Sequence, residues 1–274
     1  MPTFKTSDGL NLHYTDEGEG TPILCLSGLT RTTADFNYVT PHLSGVRLIK
    51  LDYRGRGKSD WDETWQNYNL LVEGRDVVEL LDHLGLEKVA ILGTSRGGLL
   101  AMGLAFGAKE RLTGIALNDI GPELDPTGIT YIMGYLGKRP AAKTHEEAAA
   151  AMEAAMPGFT DVPDGRWMEE ALKTFVVDAH GLNITYDPKL RDAVELQGAQ
   201  AAPDLWPFFD AMQGLPLAAI RGANSNLLSA ETLEKMQARR PDMITATVPG
   251  RGHIPYLDEP EAVAALQSWI GQLP

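Results

Sequence analysis

Ser95 lies in the run Gly93-Thr94-Ser95-Arg96-Gly97-Gly98, a G-x-S-x-G pattern within a chain of 274 residues. A serine hydroxyl is a weak nucleophile until a base takes its proton during attack, so the pattern matters only if a histidine and an orienting acid can reach it. Small residues two positions to either side are what a sharp strand-to-helix turn requires, and such a turn lifts the hydroxyl above a sheet. The helix start that follows points amides at any negative charge forming nearby. The chemistry this arrangement offers is acyl transfer.

Six histidines could serve as the base. His253, in "VPGRGHIPYLDEP", follows the last predicted strand in a Gly-flanked loop, and loops at the carboxyl ends of parallel strands are where open α/β sheets bind ligands. His13 falls in an N-terminal hairpin, His42 and His83 in or beside early helices, and His145 and His180 in a later, mainly helical stretch. An oxyanion needs two donors. The Arg96 amide directly after the serine is one; the Leu29 amide in "SGLTRTTADF" is the candidate for the other, and Arg31 in the same loop could meet an anionic substrate group.

The elements that must position these groups are legible as an alternation. After two short alternating segments split by Asp8-Gly9, a hairpin signal, come the apolar runs "PILCLSG" (22–28), "VRLIKLDY" (46–53), "VAILG" (89–93) and "LTGIALND" (112–119). Helical patterns separate them: "ADFNYVTPHL", "NLLVEGRDVVELLDHLGL" and "RGGLLAMGLAFG". Short apolar strands alternating with helices predict a parallel sheet covered on both faces. From 122 to 206 the pattern predicts no strand, only helical or irregular pieces such as "HEEAAAAMEAAM" and "GRWMEEALKTFVVDA". It then resumes with "LPLAAIRG", "SAETLEKMQARR", "MITATVPG" and "PEAVAALQSWIGQL". The expected organisation is a core in two parts, 1–121 and 207–274, interrupted by a helical cap at 122–206. Trp167, Trp206, Phe208 and Phe209 are candidates to line a pocket beneath that cap.

A formal charge of -13 excludes a nucleic-acid partner and disfavours an anionic membrane surface. No apolar run reaches the roughly 20 residues of a membrane span, and the N-terminus lacks signal-peptide character, so a cytoplasmic protein is expected. The single cysteine, Cys25, sits inside an apolar strand and can form no internal disulfide. A homodimer is compatible with the sequence, which does not specify it.

The order "SGLTRTTADF", "DYRGRGKSD", "GTSRGG", "LND", "RGANSNLLS", "GRGHIPYLDEPE" resembles the α/β-hydrolase superfamily, in particular its capped bacterial serine esterases and lactonases. The resemblance runs along nearly the whole chain and is loosest in 122–206. It implies a mostly parallel eight-stranded sheet flanked by helices, a Ser, Asp or Glu, His triad in that chain order, an acyl-enzyme, and no metal or organic cofactor. The small-molecule substrate it implies is a carboxylic ester or lactone. Serine at the elbow sets the chain apart from the haloalkane dehalogenases and epoxide hydrolases of the same fold, which place aspartate there. Ile254 after the histidine, where carbon-carbon hydrolases often have tryptophan, favours esters or lactones and makes Ile254 a candidate substrate contact. "D-x-R-G-x-G-x-S" at Asp52 to Ser59 reads as a fold-supporting segment.

The acid is the open position. Related sequences carry it in a form like "N-S-D" after the next-to-last strand, and this chain has Asn224-Ser225-Asn226. Three readings follow: Asp119, ending the strand after the elbow helix, supplies the carboxylate; Asn226 replaces an original aspartate; or Asn226 itself orients His253, in a slow enzyme or in a ligand-binding protein on a hydrolase scaffold. Asp258 reads as a helix N-terminal residue instead. Cofactor-free perhydrolysis would use the same triad.

Overall fold

The computed structural model describes residues 2–199 and 203–274. Strands β1 (Thr3–Lys5) and β2 (Asn11–Gly18) form the N-terminal hairpin, pairing Thr3 with His13 and Lys5 with Asn11. The remaining sheet strands are β3 (Thr21–Leu26), β4 (Val46–Leu51), β5 (Val89–Thr94), β6 (Leu112–Asn118), β9 (Leu217–Gly222) and β10 (Ile244–Val248). They form one eight-stranded sheet in the order β1-β2-β4-β3-β5-β6-β9-β10, parallel from β4 onward.

Alternation along each strand explains why both faces are covered. Leu24, Leu26, Ile91, Ile115 and Leu117 point into one core. There they meet α1 (Leu70–His83), α2 (Arg96–Gly107) and α8 (Ala230–Arg239) through Val77, Leu80, Leu100, Ala101 and Met236. Ile23, Cys25, Ala90, Leu92, Ala116, Ala218 and Ile220 point into the other, closed by Phe36, Val39 and the C-terminal helix α9 (Pro260–Ile270) through Ala262, Leu266 and Trp269. Helix α2 begins and ends where the sequence pattern places it. The stretch 34–43 instead makes two short 3-10 turns, Thr33–Asn37 and Thr40–His42: Thr32 caps the first and Pro41 stands at the second residue of the second, where it breaks a continuous helix.

The chain leaves the sheet after β6 and returns at β9, the neighbour of β6. Between them lie α3 (Pro126–Tyr135), α4 (His145–Ala155), α5 (Arg166–Thr174), β7 (Phe175–Asp178), β8 (Gly181–Ile184) and α6 (Leu190–Gly198). Residues 200–202 of this stretch lie outside the described residues. The expectation of a strand-free segment is corrected here: α5 stops at Thr174 and "FVVD" pairs antiparallel with "GLNI". The reason is local. Val176 and Val177 are exposed, so no core holds these β-branched residues in a helix, and Gly181 at φ 103° makes the return.

The Asp52–Ser59 segment is a cross-brace. Buried Asp52 accepts hydrogen bonds from the Thr33 and Lys58 amides and pairs with His13 Nδ1 at 2.9 Å, while Ser59 Oγ donates to the Asp52 carbonyl at 2.6 Å. Beyond it, Gly57 N donates to the Thr185 carbonyl and Asp187 N to the Gly55 carbonyl, tying the inserted segment to the core. Among the described residues, no helix is long and apolar enough to cross a membrane.

Candidate active site

Ser95 occupies the turn between β5 and α2 with φ 50° and ψ -113°, a strained conformation for a non-glycine residue. The turn is possible only because its neighbours lack side chains. A Cβ on Gly97 would stand 2.0 Å from the Leu26 carbonyl oxygen, and one on Gly93 2.6 Å from the Gly97 carbonyl oxygen. Gly97→Ala is therefore expected to cost about 3 kcal/mol or more, the upper end of overpacking penalties, seen as a lower urea midpoint and reduced labelling of Ser95 by a fluorophosphonate. Gly103→Ala, also in α2 but with open space around it, is expected to be neutral or stabilising by about 0.5–1 kcal/mol.

His253 reaches back over this turn. Its Nε2 lies 3.0 Å from Ser95 Oγ and its Nδ1 2.7 Å from Asp119 Oδ2. With a carboxylate beside Nδ1, that nitrogen carries the proton and donates it, which leaves Nε2 free to accept from the serine. Asp119 directly follows β6, has φ 55°, and is fully buried. Its Oδ1 accepts from Gly222 N at 2.7 Å and its Oδ2 from Ser225 Oγ at 2.6 Å, so the carboxylate is held on both sides.

Among the described residues the Asn226 side chain makes no hydrogen bond, to His253 or to any other group, and the Asn226 backbone oxygen faces Gly128 of α3. Ser225 turns the loop inward instead: its hydroxyl donates to Asp119 and accepts from the Leu227 and Leu228 amides. Of the readings left open by the sequence, Asp119 is the one whose side chain meets His253. Asp258 pairs with Arg166 at 2.6 Å just ahead of α9.

The loop after β3 is clamped beside the elbow. Gly97 N donates to the Ser27 carbonyl at 3.1 Å, and a Cβ on Gly28 would lie 3.9 Å from Ser95 Cβ. Among the described residues, neither the Leu29 nor the Arg96 amide has a protein acceptor. Both amides are thus free donors, the kind of group that stabilises a tetrahedral oxyanion.

Several of the expected substrate contacts are engaged with other parts of the protein. Arg31 has its guanidinium committed: Nε to Asp35 at 3.0 Å, Nη1 to Thr174 Oγ1 at 2.9 Å, and Nη2 to the Glu170 carboxylate of α5. Burial pushes the Asp35 carboxyl up against the opposing pull of Arg31. Trp206 opens the short helix α7 (Trp206–Asp210), stacks edge-on against Phe209 and donates its indole N–H to Glu123 at 3.0 Å. Phe209 is core and Phe208 stacks on Phe106. Trp167 packs against Phe159, and the Phe159 ring lies 3.0 Å from where a Cβ on Gly252, beside His253, would stand. Ile254 borders a small cavity of about 20 Å³ together with Arg31, Tyr38, Asn118 and Tyr256, which is room for roughly one water.

Helix α3, whose side chains the sequence did not single out, reaches both the loop after β9 and the loop after β3: Gly128 packs near the backbone of Asn226 and the side chain of Leu227, while Tyr135, at the other end, stands beside Thr30. Tyr135 is 44% exposed, and Tyr131 stacks edge-on against it at 5.8 Å. Even so, burial of its hydroxyl by the surrounding protein pushes the Tyr135 phenol up to about 12.

Three comparisons place this geometry among known proteins. The model of the alpha/beta hydrolase family matches residues 23–266. A 3-hydroxybutyrate-oligomer hydrolase of Cupriavidus necator is 36% identical over 251 residues, covering 88% of this chain and 85% of its own length. The 2-(acetamidomethylene)succinate hydrolase of Mesorhizobium japonicum is 25% identical over 253 residues, 91% of this chain and 87% of its own. Among solved structures, an alpha/beta hydrolase from Novosphingobium aromaticivorans superposes with a TM-score of 0.92 at 35% identity, over 99% of this chain and 98% of that one. With the fold, the elbow and the family model in agreement along almost the whole chain, the protein belongs to the alpha/beta hydrolase family.

Proposed function

We propose that the chain is a serine hydrolase that cleaves a small carboxylic ester or lactone through an acyl-enzyme on Ser95. The observation that carries this reading is the unbroken relay from Ser95 Oγ through His253 to the buried carboxylate of Asp119, at 3.0 and 2.7 Å. Ser95 Oγ attacks the ester carbonyl as its proton passes to His253 Nε2, and the carbonyl oxygen becomes an oxyanion facing the Leu29 and Arg96 amides. Collapse breaks the bond to the alkoxy oxygen, which leaves with the proton from His253. Water then adds to the acyl carbonyl with His253 again as base, and the carboxylic acid departs as Ser95 recovers its proton. Asp119 stabilises the imidazolium in both halves.

The likeness to an enzyme named for 3-hydroxybutyrate oligomers supports short linear oligoesters of hydroxy acids as the substrate class. Tyr131 and Tyr135 of α3, partly exposed and stacked on each other, are the aromatic groups this reading assigns to contact such a chain. The test is a panel of nitrophenyl acetate and butyrate, small lactones, and linear dimers and trimers of 3-hydroxybutyrate. The expected result is turnover of the oligoesters with kcat/KM of about 10⁴ M⁻¹s⁻¹ or more, the ordinary enzymatic range. No turnover of any panel member above background would refute the hydrolase reading; turnover of nitrophenyl esters alone would refute the oligoester assignment.

A further inference from the structure

Glu73 stands out as a buried carboxylate that the relay does not use. It lies in the first turn of α1, is fully inaccessible, and is gripped by two arginines from different parts of the chain. Arg96 Nε donates to Glu73 Oε2 at 2.6 Å, and Arg56 Nη1 pairs with Glu73 Oε1 at 2.8 Å. Burial alone would raise the Glu73 carboxyl; the two guanidinium charges outweigh it and hold it below the usual range, so it is ionised.

What the two arginines hold gives the cluster its meaning. Arg96 is the residue after Ser95 and the first of α2. Arg56, also fully buried, donates from Nε to the Leu29 carbonyl at 3.0 Å and from Nη1 to the Arg54 carbonyl at 2.7 Å, with its guanidinium 5.5 Å from the rings of both Tyr53 and Tyr68. One carboxylate therefore links, through one guanidinium on each oxygen, the two residues whose amides are free donors. A glutamine could not do the same. It offers one acceptor oxygen and one N–H₂ group, so one guanidinium would face a donor. A mere counter-ion needs no such connection, since either arginine alone would satisfy it.

We propose that Glu73 is a positioning residue that fixes the spacing of the Leu29 and Arg96 amides, and so the depth of the oxyanion hole, by bridging Arg56 and Arg96. This rests on the serine hydrolase reading. The cluster also carries one net positive charge, two guanidiniums against one carboxylate, and joins the elbow through Arg96, the residue after Ser95. Misplacing an oxyanion donor weakens the transition state more than the bound ester, so the effect falls on kcat.

The experiment compares wild type, Glu73→Gln and Arg96→Met on a nitrophenyl ester and a trifluoromethyl ketone, which adds to Ser95 as a tetrahedral adduct. Arg96→Met keeps the Glu73–Arg56 pair and decides the matter if Glu73→Gln fails to fold. The expected result is a loss in kcat of about 10²-fold, the scale of a roughly 1 Å misplacement, with KM within about threefold and ketone affinity falling in parallel with kcat. Arg96→Lys should recover part of the loss. A folded variant that keeps wild-type kcat, or one that loses in KM while holding the ketone as tightly as wild type, would overturn the positioning role alone. A wild type that neither hydrolyses the ester nor captures the ketone would overturn the hydrolase reading and this inference with it.

Discussion

Replacing Asp119 by asparagine is expected to lower kcat for ester hydrolysis by about 10⁴, the loss that the same exchange causes in a serine protease triad. The structure says why the damage should be that large. The Gly222 amide donates to Asp119 Oδ1 and must keep an acceptor, so the substituted carboxamide would turn its carbonyl oxygen toward Gly222 and its N–H₂ toward His253. That group donates to Nδ1, forces the proton onto Nε2, and leaves the imidazole unable to accept from Ser95. The companion change, Asn226→Asp, is expected to leave kcat within about threefold, as for a substitution outside the site. Steady-state kinetics of both variants on one nitrophenyl ester decide between the positions. An active Asp119→Asn together with an Asn226→Asp that gains orders of magnitude would assign the acid to residue 226.

Ser95→Ala should be the most severe change, with kcat falling by about 10⁶, the scale seen when a triad nucleophile is removed from another serine hydrolase. It should also be almost as severe as removing all three members. Once the nucleophile is gone, His253 and Asp119 have nothing to activate, so Ser95→Ala combined with Asp119→Asn is expected to match Ser95→Ala alone. Multiplicative losses in the double variant would mean that the residues act separately. The alanine variant should fold normally, because the elbow is set by Gly93 and Gly97 and by the Ser95 amide donating to the Asn118 carbonyl at 3.0 Å. Circular dichroism and the urea midpoint check this.

The sheet and the elbow were legible because their signals are local. An apolar run, glycines at fixed spacing and a helical pattern lie within about twenty residues of one another, and α2 falls on Arg96–Gly107 as its pattern reads. His253 could be picked out because the loop after a last strand has one place to go. The acid was harder: Asp119 and His253 are 134 positions apart, and whether β6 or the loop after β9 turns a carboxylate toward the imidazole depends on backbone geometry, here φ 55° at Asp119. A carboxylate directly after an apolar strand was the signal available, and it left three readings standing.

Other features were lost for physical reasons that differ. Trp206 and Phe208 have the composition of a pocket wall, yet aromatic residues in a core have it too, and their partners Glu123 and Phe106 come from distant segments. Arg31 sits in the right loop, but Glu170 of α5 and Asp35 consume its donors. Glu73 carried no local signal at all, because its partners Arg56 and Arg96 both come from outside α1. The β7–β8 hairpin was hidden because "KTFVVDA" continues a helical pattern until the valines find no core.

The central claim is that Ser95 carries the acyl group, and trapping that group tests it most directly. The protein would be mixed with excess nitrophenyl butyrate, quenched in acid within the first turnovers, digested and mapped by mass spectrometry. The predicted result is a butyryl group on the peptide containing Ser95, accumulating with a burst of nitrophenol of about one equivalent per site and absent from Ser95→Ala. Turnover with no adduct on Ser95, or an equal adduct in the alanine variant, would contradict the account.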